Sequence, residues 1–280
     1  MEWKTSKRTL SLKKTLIMGI LNVTPDSFSD GGRYVSLDSA LRQAESMVEE
    51  GADILDIGGE STRPGAMQVS AEEEIERVAA VIEAIHERFD IPISIDTYKS
   101  GVAREAIRAG AEIINDISGL RFDRELAKVA AEHETGLVLM HSRGDFATMH
   151  SQPPVDDIFE EVVEGLQNSI EKARITGVKD DQIAVDIGIG FGKTFEQNLE
   201  LIADLDRLVN KFGQFPVLVG ASRKSFIGKI LSGISATERV EGSLAAAVIA
   251  VWNGAKIVRV HDVRQTRDAI RVTEALVLNR

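Results

Sequence analysis

The sequence predicts an α/β protein, a single-domain (β/α)8 TIM barrel. Short apolar runs rich in β-branched residues alternate with longer amphipathic stretches, the alternation repeats eight times, and nearly every run ends in a polar residue. Eight strand–helix units in ~250 residues match the size and count of such a barrel. A doubly wound open sheet is the alternative, because pattern alone does not show closure. No GxGxxG fingerprint follows a predicted strand, which weakens it. Residues 1–14 are expected as an N-terminal extension and residues 15–280 as the barrel.

The first run, Leu16–Leu21, is continuously apolar, as a strand buried on both faces must be. It breaks at Asn22 into a polar loop with Pro25, Asp26, Asp30 and the paired Gly31 and Gly32. The runs that follow are Ile54–Gly58, Pro92–Asp96, Ile113–Asp116, Leu137–Met140, Ile183–Ile187, Val217–Val219 and Ile257–Val260. Helices are expected between and after them, at about 37–50, 71–88, 100–109, 123–134, 156–176, 195–212, 237–253 and 262–278. Ser70 precedes Ala71-Glu72-Glu73, an N-cap with its capping-box glutamate. Gly51, Gly110, Gly177 and Gly254 stand where helices should stop.

Composition narrows the function. A chain of 280 residues that is 43% hydrophobic supports a core without staples, and it has no cysteine, so disulfides and thiolate metal sites are excluded. The net charge of −11 argues against nucleic acid and against an anionic membrane surface as partners. The basic N-terminus lacks the apolar segment of a signal peptide, and no apolar run approaches the ~20 residues of a membrane span. A cytoplasmic protein is expected.

In a (β/α)8 barrel the site lies at the C-terminal ends of the strands. Asp96, Asn115 and Asp186 would stand there together. Short carboxylates and a carboxamide suit the planar N–H edge of a guanidine-like heterocycle, although Asp and Asn are also common helix N-caps. Ser222, Arg223 and Lys224, with Arg259 and His261, form a basic set on the last two strands, where such barrels often bind phosphate; ordinary surface charge is the alternative. The run Gly188-Ile189-Gly190-Phe191-Gly192-Lys193-Thr194 is one residue short of a Walker loop and reads better as close backbone approach to a flat ligand. Phe191 would stack on that ligand or fill the core. Asn22 and Asp96 are hard oxygen donors suited to Mg2+ shared with substrate phosphate. No zinc spacing or HExxH occurs, and His86, His133 and His150 are expected at the surface.

Taken together, these residues resemble the dihydropteroate synthase family of the folate pathway. The likeness spans about residues 15–278, through LNVTPDSFSDGG at 21–32, GGESTRPG at 58–65, SIDTYK at 94–99, NDISG at 115–119, GIGFGKT at 188–194, SRKSFIG at 222–228 and VRVHDV at 258–263. The resemblance implies condensation of p-aminobenzoate with hydroxymethyl-dihydropterin pyrophosphate, with Mg2+, giving 7,8-dihydropteroate and pyrophosphate. It implies that Asp96, Asn115, Asp186 and Lys224 hold the pterin. Asn22, Arg259 and His261 would hold the pyrophosphate, with Mg2+ on Asn22. Thr62 and Arg63 would lie on a loop that closes over the site, Ser222 near the aminobenzoate carboxylate, and Met140 and Phe191 in apolar walls. Asp96, Lys224, Arg259 and His261 would form the catalytic set. Ile187 departs from the family's usual proline after Asp186, and Ser142 from a larger residue after His141. Related barrels often dimerise through late helices, so a homodimer is expected, with Ala245–Trp252 as a candidate surface; an ordinary sheet-facing helix is the alternative for that stretch. A pterin-dependent methyltransferase and an inactive pterin-binding paralogue are the rival readings; neither accounts for GESTRPG with SRK or for the complete set of site residues.

Overall fold

The computed structural model describes residues 1–23, 33–63 and 65–279. The polar loop after Asn22, with Pro25, Asp26, Asp30, Gly31 and Gly32, lies outside the described residues, as does Pro64 of the second motif. A short antiparallel hairpin, β1 (Glu2–Lys4) and β2 (Thr9–Ser11), comes first. Eight parallel strands follow: β3 (Leu16–Asn22), β4 (Ile54–Gly58), β5 (Ile93–Asp96), β6 (Ile113–Asp116), β7 (Gly136–Met140), β8 (Ile183–Asp186), β9 (Val217–Val219) and β10 (Ile257–Val260). They pair in chain order, and β10 closes the barrel onto β3 through Ile257 and Leu16. Closure decides against the open sheet.

The helices that cover the barrel are α1 (Arg33–Glu50), α2 (Ala71–Arg88), α3 (Ser100–Ala109), α4 (Glu125–Glu132), α5 (Ile158–Thr176), α6 (Phe195–Ala203), α7 (Leu205–Lys211), α8 (Ser225–Ile230), α9 (Val240–Trp252) and α10 (Val263–Val277). Ser70 caps α2 by accepting from the Glu73 N–H, as its sequence predicts. The single helix expected over 195–212 is two, because Asp204 leaves helical geometry at φ −108, ψ 33. The helix expected from 237 starts at Val240, and α8 has no counterpart among the expected elements. No described helix is long and apolar enough to cross a membrane.

Strand periodicity divides the apolar residues into two cores. Ile57, Ile95, Leu139, Val185 and Val219 point outward and pack beneath the helices. The alternate residues point into the barrel: Met18, Ile54, Ile113, Val138, Ala184, Leu218 and Ile257 form one dry layer low in the interior. Residues 1–14, expected as an extension, close the bottom of that layer with Trp3 and Leu12. Trp3 is fully buried, and its Nε1 donates to the Gln182 carbonyl at 2.7 Å. Buried Glu112 fastens the same hairpin by accepting from Thr5 Oγ1 at 2.5 Å and from Arg8 Nε at 3.1 Å.

Trp3→Ala should therefore cost about 3–5 kcal/mol, the usual range for emptying a buried aromatic site. Trp3→Phe should cost less than half of that, since it removes mainly the hydrogen bond and one ring. Urea unfolding midpoints of the two variants check this. An unchanged midpoint for Trp3→Ala would show that the hairpin is peripheral to the fold.

Candidate active site

The same periodicity that builds the dry layer builds the site above it. Pairing sets Ile20 beside Asp56, Gly58 beside Asp96, Asp96 beside Asn115, and Met140 beside Asp186. Two residues beyond the apolar layer, the interior side chains become Asp56, Asp96, Asn115, Met140, Asp186 and Arg259. Asp116, one residue past Asn115, has the opposite parity. It turns out of the interior and accepts from Ser118 N, Ser118 Oγ and Leu120 N, shaping the next loop.

Arg259 lies at the centre. Its Nε donates to Asp56 Oδ2 at 2.5 Å and its Nη2 to Asp96 Oδ2 at 2.5 Å. Asn115 Nδ2 also donates to Asp56 Oδ2, at 3.1 Å. Burial works against the Arg259 charge, but Asp56 and Asp96 outweigh it and hold the guanidinium above its usual range. Burial pushes Asp96 up to about 7 against the pull of Arg259, with Asp56 and Glu74 adding to the rise. Asp56 is a site residue absent from the sequence-predicted set; the signal the sequence offers is an aspartate inside an otherwise apolar run, two residues before Gly58, and the structure buries it fully.

Asp186 Oδ1 accepts from the Gly188 N–H at 2.7 Å, and burial raises its carboxyl above the ordinary range. Lys224 approaches from the other side. Its Nζ lies 4.1 Å from the Phe191 ring centre, and burial, aided by Arg259, lowers its ammonium to about 8. The close backbone approach expected of the glycine run is present. Gly188 has φ +67, and a Cβ there would sit 1.8 Å from the His141 carbonyl oxygen. Lys193 turns inward. It donates to the carbonyls of His141, Gly188 and Phe191 at 2.9–3.2 Å and meets His141 Nδ1 at 2.9 Å.

At the rim, Ser222 Oγ accepts from the His261 N–H at 3.2 Å and lies 3.0 Å from His261 Nδ1. With the hydroxyl donating to Nδ1 the ring carries its own proton on Nε2; in the other tautomer Nδ1–H donates to the hydroxyl oxygen. Burial, with the charges of Arg259, Arg223 and Arg63, lowers His261 to about 3 and keeps it neutral. Arg223 leaves the expected basic set: it makes a two-pronged pair with Asp262 at 2.6 and 3.1 Å. Arg63 is exposed, and Thr62 presents its carbonyl to His150. The base of this loop is fixed by Lys99, which meets Glu60 at 3.2 Å and Glu74 at 2.7 Å and donates to the Val69 carbonyl. Met140 and Phe191 stand in one apolar wall with Tyr98, Ile117 and Met149. His150, expected at the surface, is instead half-buried against Phe191, because its ring joins two loops across the mouth. Asn22 ends β3 half-buried at the rim; a Cβ on Gly58 would come to 3.7 Å from both Asn22 Oδ1 and Asp96 Oδ2. Among the described residues no cluster of His, Asp or Glu is arranged to hold a metal by itself.

Residues 18–261 match the family model of pterin binding enzymes. A dihydropteroate synthase of Synechocystis sp. is 50% identical over 264 residues, covering 94% of this chain and 91% of the relative. The chain belongs to the dihydropteroate synthase family of pterin binding enzymes. Two solved structures of that family agree in shape. The Clostridium difficile enzyme, determined in the presence of pteroic acid, superposes with a TM-score of 0.89 at 46% identity, covering 94% of this chain and 97% of that one. The Xanthomonas albilineans enzyme with 4-aminobenzoic acid gives 0.91 at 42% identity, covering 98% and 97%. The barrel is thus that of a pterin binding transferase.

The neutral histidines give the site a measurable pH signature. Burial, helped by Lys193, Arg121 and Arg143, lowers His141 to about 2. The unfolded chain takes up a proton at His141 below about pH 6.5, and the native protein does not. Stability is full above that value and falls as pH drops toward the folded value. His141→Asn keeps an acceptor for Lys193 and has no such proton. Relative to this variant, wild-type unfolding free energy should fall by about 1.4 kcal/mol per pH unit below about pH 6.5. Parallel slopes in urea titrations at several pH values would mean that native His141 is charged.

Proposed function

We infer that this barrel condenses p-aminobenzoate with hydroxymethyl-dihydropterin pyrophosphate, releasing 7,8-dihydropteroate and pyrophosphate. The observation that carries the reading is the interior layer of Asp96, Asn115, Asp186 and Arg259 with Lys224 beside them, and His261 and Arg63 at the rim. The carboxylates and the Asn115 carboxamide match the N–H edge of a pterin, and Lys224 supplies a donor to its acceptor face. His261 in its Nε2–H tautomer, Arg63 and the N–H groups of Arg259 not engaged by Asp56 and Asp96 serve the pyrophosphate. Met140 and Phe191 wall the pocket, and Ser222 fixes the His261 ring besides bordering the aminobenzoate side.

Catalysis follows from charge. The C–O bond to pyrophosphate breaks with its electron pair, and the pterin methylene becomes cationic. Arg259, Arg63 and His261 take up the leaving charge, while Asp96 stabilises the cation as it forms. The arylamine is already unprotonated at neutral pH. Its lone pair forms the new C–N bond, and its proton passes to water or to the departing pyrophosphate, so no general base is required. Mg2+ would be held here through Asn22 Oδ1, a hard oxygen donor at the rim. When bound, the ion supplies further charge neutralisation on the pyrophosphate. A cytoplasmic homodimer is part of the reading. Helices α9 and α10 pack together and expose Ile249 at 45%, Trp252 at 38%, Val272 at 62% and Leu276 at 59%, more apolar side chain than a lone late helix pair needs to show.

Mixing the protein with both substrates and Mg2+ should release pyrophosphate only when p-aminobenzoate is present. Asp96→Asn should lower turnover at least tenfold, about 1.4 kcal/mol of transition-state stabilisation, with a smaller loss of pterin binding. Equal losses would assign Asp96 to binding alone. Binding should also be ordered: p-aminobenzoate is small and needs a pocket formed beforehand. Calorimetric titration of p-aminobenzoate should show binding only with pyrophosphate and Mg2+ present. Equal affinity without them would mean a preformed pocket.

A further inference from the structure

We propose that His150 is a positioning residue that latches the loop after β4 to the loop after β8 and so fixes the p-aminobenzoate pocket; this rests on the condensation reading above. Its Nε2 lies 2.7 Å from the Thr62 carbonyl oxygen and its Nδ1 lies 3.1 Å from the Gly190 carbonyl oxygen. Its ring packs on Phe191 at 5.3 Å between centres. One side chain thus ties together the residue before Arg63 and the residue before Phe191. The base of the first loop is already held by Lys99 and by Arg77, which donates to the Gly59 carbonyl at 2.7 Å. What His150 adds is the position of the loop's tip relative to the apolar wall.

The chemistry of the two contacts is specific. A carbonyl oxygen has no proton to give, so each contact requires an N–H from the ring. Neutral imidazole has one N–H, and imidazolium has two. The complete latch therefore belongs to the protonated ring, and deprotonation turns one contact into a meeting of lone pairs. The charged groups around it are Arg63 beside Thr62, Lys193 and Lys224 beside Gly190 and Phe191, and Arg143 and Asp145 on its own loop. Asp96, Asn115 and Asp186 stand on strands and do not depend on it.

Two variants separate the parts. His150→Phe keeps a ring against Phe191 but has no donor. His150→Gln offers two N–H donors from one amide nitrogen at any pH. The full-length protein is assayed for both substrates. For His150→Phe, KM for p-aminobenzoate should rise at least about fivefold, with kcat, pterin KM and Tm nearly unchanged. For His150→Gln it should return to within about twofold of wild type. Amide exchange should quicken in residues 61–63 and 188–191 of His150→Phe alone. Unchanged p-aminobenzoate KM in His150→Phe, or equal rises for both substrates, would overturn the proposal. Absence of condensation by wild type would instead overturn the activity reading, and the exchange comparison would still decide the latch.

Discussion

A guanidinium clasped by two carboxylates inside a closed barrel sets the conditions for everything around it. Asp56 is fully buried, and removing Arg259 would leave it and Asp96 facing each other without a counter-charge. The interior layer is a near balance of Asp56, Asp96 and Asp186 against Arg259 and Lys224. Such a balance is costly to disturb and easy to redirect. A ligand that offers N–H groups to Asp96 and Asp186 and oxygens to Arg259 and Lys224 exchanges one set of partners for another without exposing a bare charge. The dry layer below, sealed by Trp3 and Leu12, denies these groups a second source of water and keeps their interactions strong.

Around that centre the cations divide into two kinds. Lys99, Arg121, Arg143, Lys193 and Arg223 are engaged by carboxylates and carbonyls and shape the loops. Arg259 and Lys224 stand instead in the interior layer among its carboxylates, with exposed Arg63 above them. Composition alone does not distinguish the two groups, because what separates them is the direction each side chain takes. The buried Lys193 illustrates this best. A lysine after a glycine run suggests a phosphate contact, yet here it is the pin that holds the run itself, gripping three carbonyls at once.

Much of this was legible in the sequence. Eight apolar runs with polar ends locate all eight barrel strands to within a residue or so, and β-periodicity then places Asp96, Asn115 and Asp186 on one interior face. Three features were not legible, each for a physical reason. Residues 1–14 show no long apolar run, since a three-residue strand carries only Trp3 to the core, so a plug looks like a tail. Asp56 hides within a strand whose other residues are apolar, and its meaning depends on Arg259, 203 positions later. His150 lies in a polar loop, and nothing local announces that its two acceptors come from Thr62 and Gly190. Side chains whose partners are close in sequence are readable; those whose partners arrive only with closure are not.

The hairpin at the bottom has a consequence for the way the chain is made. The hairpin precedes the barrel along the chain, yet the carbonyl that receives Trp3 lies 179 residues downstream. The strand after it, β3, likewise waits for β10, the last strand to be made. The indole stays unmatched until Gln182 has been made, and the free edge of β3 until β10 has been made. A delay between making these surfaces and covering them is thus built into the topology, and a rearranged gene that begins at β4 and carries the hairpin and β3 at its end would shorten that exposure.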